Sequence, residues 1–244
     1  MLKADHFFSP SEIGSCVMCP TSWWKDKTKQ VGIETETKYR DFGSLFHGVI
    51  KDFYNVIPET ATKGSIQGTL QTIIEKQTKF EKLDGMKTRL DKCTKNFLKF
   101  ELIRRRTWKQ YKPTLIEEKL AAMVNNINYV NIVDAYWEKD EHSVDWKTGM
   151  KNTLSDIDRI QGRIGQMVLH MHGKKCTKTT FCMLYTGMFL PMPETSHTFV
   201  EERVKLMFEY VRTNTFPKNK TQLCSMCRHV LSCTYEDRGL CIWM

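Results

Sequence analysis

The sequence predicts an α/β protein with a central mixed sheet flanked by helices, and three observations predict it. Residues 115–147 hold runs rich in β-branched and aromatic residues, broken by short polar stretches, the mark of paired strands. On either side, apolar residues recur at helical spacing, at 42, 45, 46, 49 and 53 and again at 157, 160, 164, 167, 168 and 171. From residue 216 onward the chain is loop-like and dominated by cysteine. With 244 residues and 41% hydrophobic content, the chain can bury a real core as one domain spanning 1–244.

Taken in order, Ser9-Pro10-Ser11-Glu12 predicts a helix start. Ser9 is the cap, Pro10 lies in the first turn and Glu12 holds the capping-box position. This helix runs toward Cys16 and Cys19, and Cys19-Pro20 precedes the pair Trp23-Trp24. Residues 41–56 form a second helix, with Gly43 and His47 one turn apart on its less apolar side, where the glycine leaves space beside the imidazole. Residues 60–112 are a lysine-rich helical insertion, broken by Tyr111-Lys112-Pro113. The sheet and its helices occupy 113–215, opening on a strand at 115–124 that carries Glu117-Glu118.

A hairpin follows, with strands at 129–137 and 143–147. Residues two apart in a strand share a face, so Asp145 and Lys147 point one way and Trp146 the other. A turn centred on Lys139 and Asp140 puts Asp134 across the ladder from Asp145. Two carboxylates so close are relieved by a cation between them, and oxygen ligands favour magnesium or manganese. An Asp-x-Lys by itself is equally the pattern of an exposed ion pair, so other positions must decide.

Ser155 caps the next helix with Asp158 as capping-box partner, and Gly173 ends it. Its second stripe, Arg159, Arg163, Gln166 and His170, offers groups that contact phosphates. Residues 179–190 read as one buried strand, and 199–213 as a helix.

The formal charge of +9 suits a polyanionic partner. The basic residues are densest at 25–29, 104–112, 174–178 and 218–220. Residues 1–5 lack a basic start leading into an apolar run, and the longest apolar stretch, 182–192, is too short to span a bilayer. The expectation is a soluble protein without membrane association. Nine cysteines, an odd number, then point to a reducing, cytoplasmic compartment and to metal ligation or buried thiols in place of disulfides. Cys224-Ser-Met-Cys227, followed after five residues by Cys233, has metal-site spacing. Its three thiolates need a fourth ligand from among His229, Cys241, Cys16 and Cys19, and spacing fits zinc and an iron-sulfur cluster equally.

Ser9-Pro10-Ser11, Cys19-Pro20, Gly43-x-x-x-His47, Asp134, Asp145-Trp146-Lys147-Thr148-Gly149, Gln166 and Cys224-x-x-Cys227-x5-Cys233 together resemble the RecB-like branch of the PD-(D/E)XK nucleases. The likeness is nearest to its iron-sulfur members: the fourth CRISPR-associated protein family and the nuclease domain of AddB. It covers 9–233 in the family's order.

The resemblance implies a restriction-endonuclease-like core in which His47, Asp134, Asp145 and the carbonyl of Trp146 hold Mg2+ or Mn2+. Lys147 is then the catalytic lysine and Gln166 the helix-borne glutamine that supports the site. Arg163 and His170 are the expected DNA contacts. Cys19, Cys224, Cys227 and Cys233 would ligate a [4Fe-4S] cluster, making 1–30 and 216–244 one iron-sulfur region.

The implied activity is metal-dependent hydrolysis of DNA phosphodiesters, with single-stranded ends as substrate, cut 5′ to 3′ as an exonuclease. A CRISPR integrase or another recombination factor is the partner such a role suggests, as in DNA trimming for CRISPR adaptation. A non-catalytic DNA-binding subunit is the competing class. Two positions depart from the family pattern: Asn131 stands where a glycine usually precedes the first aspartate, and His170 where tyrosine usually follows the glutamine.

Overall fold

A computed structural model describes residues 5–30, 37–77, 85–219, 224, 227–229 and 233. Six strands form one mixed sheet: β1 (Phe7–Phe8), β2 (Leu115–Val124), β3 (Ile127–Trp137), β4 (His142–Lys147), β5 (Lys178–Met183) and β6 (Met188–Pro191). The order is β1-β3-β4-β5-β6, with β2 also on β3. Strands β1 and β3, and β4 and β5, pair in parallel, while the other pairs are antiparallel. Among the described residues, seven α-helices accompany it: α1 (Pro10–Met18), α2 (Pro20–Lys27), α3 (Lys38–Val56), α4 (Lys63–Lys76), α5 (Lys87–Thr107), α6 (Asp156–Met171) and α7 (His197–Thr213). Among the described residues, no helix is long and apolar enough to cross a membrane.

Two cores divide these helices between the faces of the sheet. Phe42, Phe46, Val49 and Phe53 of α3 meet Ile66 and Leu70 of α4, Phe97 and Phe100 of α5, and Trp137, Val144, Trp146 and Cys182 of the sheet. Among the described residues, the apolar faces of α4 and α5 complete this same core. Trp146 stands edge-on to Phe100 and Phe97, with ring centroids 4.9 and 5.5 Å away. Such pairs contribute about 0.5–1.5 kcal/mol each beyond their burial. On the opposite face, Ile13 and Cys16 of α1 pack with Ile160, Ile164 and Val168 of α6, Val200 and Val204 of α7, and Tyr129.

Several boundaries differ from the sequence reading for identifiable reasons. The first helix stops at Cys19, which is extended (φ −158°, ψ 102°), because a residue before proline avoids the helical region; Pro20 then opens α2. Ser9 caps α1 through the Glu12 N–H. The Glu12 carboxylate turns instead to Lys27 (2.6 Å) and His6 (3.0 Å). The single strand expected at 179–190 is a hairpin, β5 and β6, reversed where Gly187 adopts φ +76°. Met171, expected in the α6 core face, is 54% exposed.

Part of the basic run at 104–112 is core. Arg104 is 1% exposed, donates to both oxygens of buried Glu101 and to the carbonyls of Gln110 and Tyr111, and lies over the Trp137 ring. Tyr54 donates its hydroxyl to the same carboxylate. A paired and fully hydrogen-bonded charge can be buried at tolerable cost, and this one serves the interior and not a polyanion.

The α6 cap matches expectation. Ser155 and Asp158 form a reciprocal capping box, and Lys151 Nζ donates to both Asp158 oxygens at 2.6 Å. Burial alone would raise the Asp158 pKa, but Lys151 and Ser155 outweigh it and hold the carboxyl below its ordinary value. Its contribution is present above the unfolded carboxylate value, about 3.9, and is lost as pH falls through the lower folded one. Asp158→Ala should destabilise the protein by about 1–2 kcal/mol, read as a lower thermal midpoint at neutral pH. The gap from wild type should shrink in acid.

Candidate active site

The registers of three strands bring acidic residues into one row. Pairing of Ile116 with Ala135 and of Glu118 with Val133 places Glu117 opposite Asp134. Continuing the pairs Trp137–His142, Tyr136–Ser143 and Ala135–Val144 places Asp134 opposite Asp145. Glu117 leaves the ladder in a left-handed conformation (φ +48°), which re-aims its side chain. Asp134 and Asp145 are each 8% exposed. Close carboxylates in a buried setting resist shared ionisation, and burial, then Asp145, push the Asp134 pKa up.

His47 reaches this row from α3. Its Nδ1 lies 2.8 Å from Glu117 Oε1 and 3.8 Å from Asp134 Oδ2, while Nε2 donates to the Trp146 carbonyl at 3.0 Å. Both nitrogens face acceptors, so the ring is an imidazolium. Burial opposes that charge, but Asp134 and Glu117 overcome it and raise the pKa to about 9. The Trp146 N–H donates to Asp134 Oδ2 at 2.8 Å, so the backbone of one residue, through the two peptide groups that flank its Cα, touches both His47 and Asp134. Gly43 lets α3 approach: a Cβ there would stand 3.2 Å from the Thr148 hydroxyl, so the space expected beside the imidazole holds Thr148.

Lys147 projects with Asp145 toward α6, opposite Trp146, as strand alternation requires. Its ammonium pairs with Asp145 Oδ1 at 2.7 Å and donates to Gln161 Oε1 at 2.6 Å. Burial works against the charge; Asp145 and Asp134 outweigh it and raise the lysine pKa. Lys147 is therefore a fixed cation and donor. Helix α6 comes this near because Gly162 has no side chain: a Cβ would meet Met192 Sδ at 2.3 Å and Phe181 at 3.1 Å.

Gln161 is one of two functional candidates that sequence reasoning left out, and Glu117 is the other. Gln166, named for support of the site, instead donates to Thr179 Oγ1 (3.1 Å) and accepts from Arg163 (3.0 Å). Five residues separate the two glutamines, about 140° around a helix of 3.6 residues per turn, so only one can face the lysine. Arg163 and His170 lie toward α7, where both bear on His197. Asn131 is buried, its amide 3.1 Å from where a Gly165 Cβ would be, so the departure from glycine is accommodated by the glycine across from it.

Among the described residues, His47, Glu117 and Asp134 are the group whose ligand atoms, all within 4.8 Å of one another, could hold a metal ion. Asp145 stands just beyond, drawn to Lys147. Hard oxygens with one imidazole suit Mg2+ or Mn2+, and the strain among the carboxylates is what a divalent cation relieves. The residues fit the ion.

Residues 216–219 and Cys227 lie along α1 and α2. Thr21 bonds the carbonyls of Phe216 and Pro217, Asn219 donates to Val17 O, and Trp24 stacks on Phe216 at 4.5 Å. Cys19 is the N-cap of α2, and Ser22, three residues on, lies 3.6 Å from Cys227 Sγ. Cys16, Cys19 and Cys227 are free thiols, and burial pushes Cys16 up to about 12. His229 Nε2 is 2.8 Å from Asp26 Oδ1. Cys241, another candidate ligand, lies outside the described residues.

A mixed sheet between helices, with an acidic row, a histidine and a lysine at its centre, defines a class of metal-dependent phosphodiesterases. The chain belongs to the PD-(D/E)XK nuclease superfamily, whose family model matches residues 7–234. Its fold is similar to the crystal structure of a "Putative exonuclease" from Eubacterium rectale, with a TM-score of 0.53, 13% identity, and coverage of 91% of this chain and 87% of that one. No curated protein matches the sequence.

Removing one ligand should be visible without any substrate. Glu117→Gln is expected to weaken Mn2+ binding, measured calorimetrically, by roughly ten- to a hundredfold. Binding equal to wild type would exclude Glu117 from the ion's surroundings.

Proposed function

We propose that this protein is a divalent-metal-dependent DNA exonuclease acting on single-stranded ends, in the 5′ to 3′ direction characteristic of the RecB-like iron-sulfur branch. The observation that carries the nuclease reading is the convergence of Glu117, Asp134, Asp145, His47 and Lys147 at one place in a PD-(D/E)XK fold. A pure binding module has no use for three carboxylates facing a polyanion.

In this reading His47, Glu117, Asp134, Asp145 and the Trp146 carbonyl hold Mg2+ or Mn2+, which supplies Lewis acidity at the scissile phosphate and for the attacking water. To serve as a ligand, His47 gives up one ring proton and its bond to Glu117 or Trp146. Lys147 acts as an ammonium: it donates a hydrogen bond that orients the water for in-line attack on phosphorus and adds positive charge where the phosphate gathers negative charge. Gln161 fixes the Lys147 rotamer, and Asp145 fixes its charge. Gln166 acts as a positioning residue through Thr179, with Arg163 and His170 meeting the strand on the α7 flank.

We further propose that Cys19, Cys224, Cys227 and Cys233 ligate a [4Fe-4S] cluster. Support comes from the contacts of Phe216, Pro217 and Cys227 with α2, the last of them beside the turn that starts at Cys19. Four thiols are the donor set such a cluster takes. Bound there, it would tie the two ends of the domain together.

Cleavage of an end-labelled single strand tests the nuclease reading. Lys147→Ala and Asp145→Ala should each lower the rate by roughly a hundredfold or more while binding persists, and EDTA should abolish cutting. Wild-type rates in both variants would remove the site assignment. Anaerobically purified protein should be coloured by the cluster and lose that colour in Cys227→Ser; a colourless protein carrying one zinc would replace the cluster with a structural zinc and leave the nuclease reading intact.

A further inference from the structure

A groove of about 470 Å³ opens directly beside His47 and Glu117, between α3 and the β2-β3 hairpin. One wall is a single helix face: Ser44, His47, Gly48 and Lys51 follow the spacing that puts side chains on one side of a helix. The other wall is strand. Lys119 lies two residues beyond Glu117 on β2, and Ile132 is its cross-strand partner, two residues before Asp134 on β3. Residues two apart share a strand face, so the wall that begins at Glu117 continues outward as Lys119 with Ile132 beside it.

The groove is therefore graded. Its inner end holds His47 and Glu117, and its outer end holds two exposed lysines and an isoleucine that is 52% exposed. Among the described residues neither lysine pairs with a carboxylate. Lys51 stands four residues from His47, about 6 Å along the helix axis. Lys119 stands about 6.6 Å from Glu117 along the strand. Both cations are thus displaced by a similar step from the proposed metal position, comparable with the step from one phosphate to the next. Near Gly48 the wall is open, since a Cβ there would meet nothing within 4 Å.

We infer that this groove is the seat of the DNA strand next to the cut. Lys51 and Lys119 clamp the phosphate adjoining the scissile one from opposite walls, and Ile132 supports its base. The inference rests on the nuclease reading and deepens it by naming the path of the substrate. A single strand is the occupant that fits: the groove offers two phosphate cations and one apolar surface, and its opposite walls close on one backbone.

The test uses a fluorescein-labelled oligothymidylate, with binding followed by anisotropy in EDTA across a salt series and cleavage followed in Mg2+. Lys51→Ala/Lys119→Ala should flatten the plot of log affinity against log salt by about 0.7, since the two lysines hold one phosphate and each phosphate neutralised on a single strand contributes about 0.7. KM should rise while kcat stays within twofold. Ile132→Ala should weaken binding without changing the slope. Thermal melts matching wild type establish that the variants are folded. If wild type cuts the strand but the double variant keeps its salt slope and KM, the groove assignment falls alone. If wild type neither binds nor cuts, the nuclease reading falls and takes the groove with it.

Discussion

Mutual repulsion among Glu117, Asp134 and Asp145 is the constraint around which the rest of this molecule is arranged. Burial, then Asp145 and Glu117, raise the proton affinity of Asp134, and the crowded acids call for positive charge close by. The fold answers with charge from both of its faces. Helix α3 delivers the His47 imidazolium, and β4 delivers Lys147, which Gln161 steadies from α6. Each countercharge is buried enough to be costly alone, so acids and cations are stable only as a set.

That set explains the placement of the helices. α3 approaches through Gly43 and α6 through Gly162 and Gly165, points where a side chain would crowd the sheet side of the site. The apolar faces of both helices then lock these approaches into separate cores. Charge neutralisation at the centre and burial at the periphery therefore specify the same geometry, the agreement between levels that marks a well-determined fold.

Much of this was legible because strand alternation is a strict rule. Asp145 and Lys147 on one face, Trp146 on the other, and Asp134 across the ladder all follow from period two and a turn at Lys139 and Asp140. The Ser155–Asp158 capping box and the faces of α3 followed from equally local chemistry. Glu117 was hidden for a local reason too: it sits beside Glu118, and only a left-handed backbone, which no hydrophobic pattern encodes, turns it toward His47. Gln161 was hidden because two glutamines share α6, and the choice between them depends on how the helix is rotated against β4. Arg104 read as a surface cation because its partner, Glu101, lies within an otherwise lysine-rich helix. The hairpin of β5 and β6 was missed because its apolar run continues through the turn, leaving Gly187 as the one signal.

The Trp146 peptide links the fold's interior to its chemistry most directly. Its amide and carbonyl hold Asp134 and His47, while its indole is wedged against Phe97 and Phe100 in the aromatic slab beneath. Packing precision on the hydrophobic side is thereby transmitted, through the backbone of one residue, to the spacing of charged groups on the other. The rings behave as a mounting plate: rigidity there and alignment at the acidic row are one property, so loosening of this slab degrades alignment while the overall fold survives.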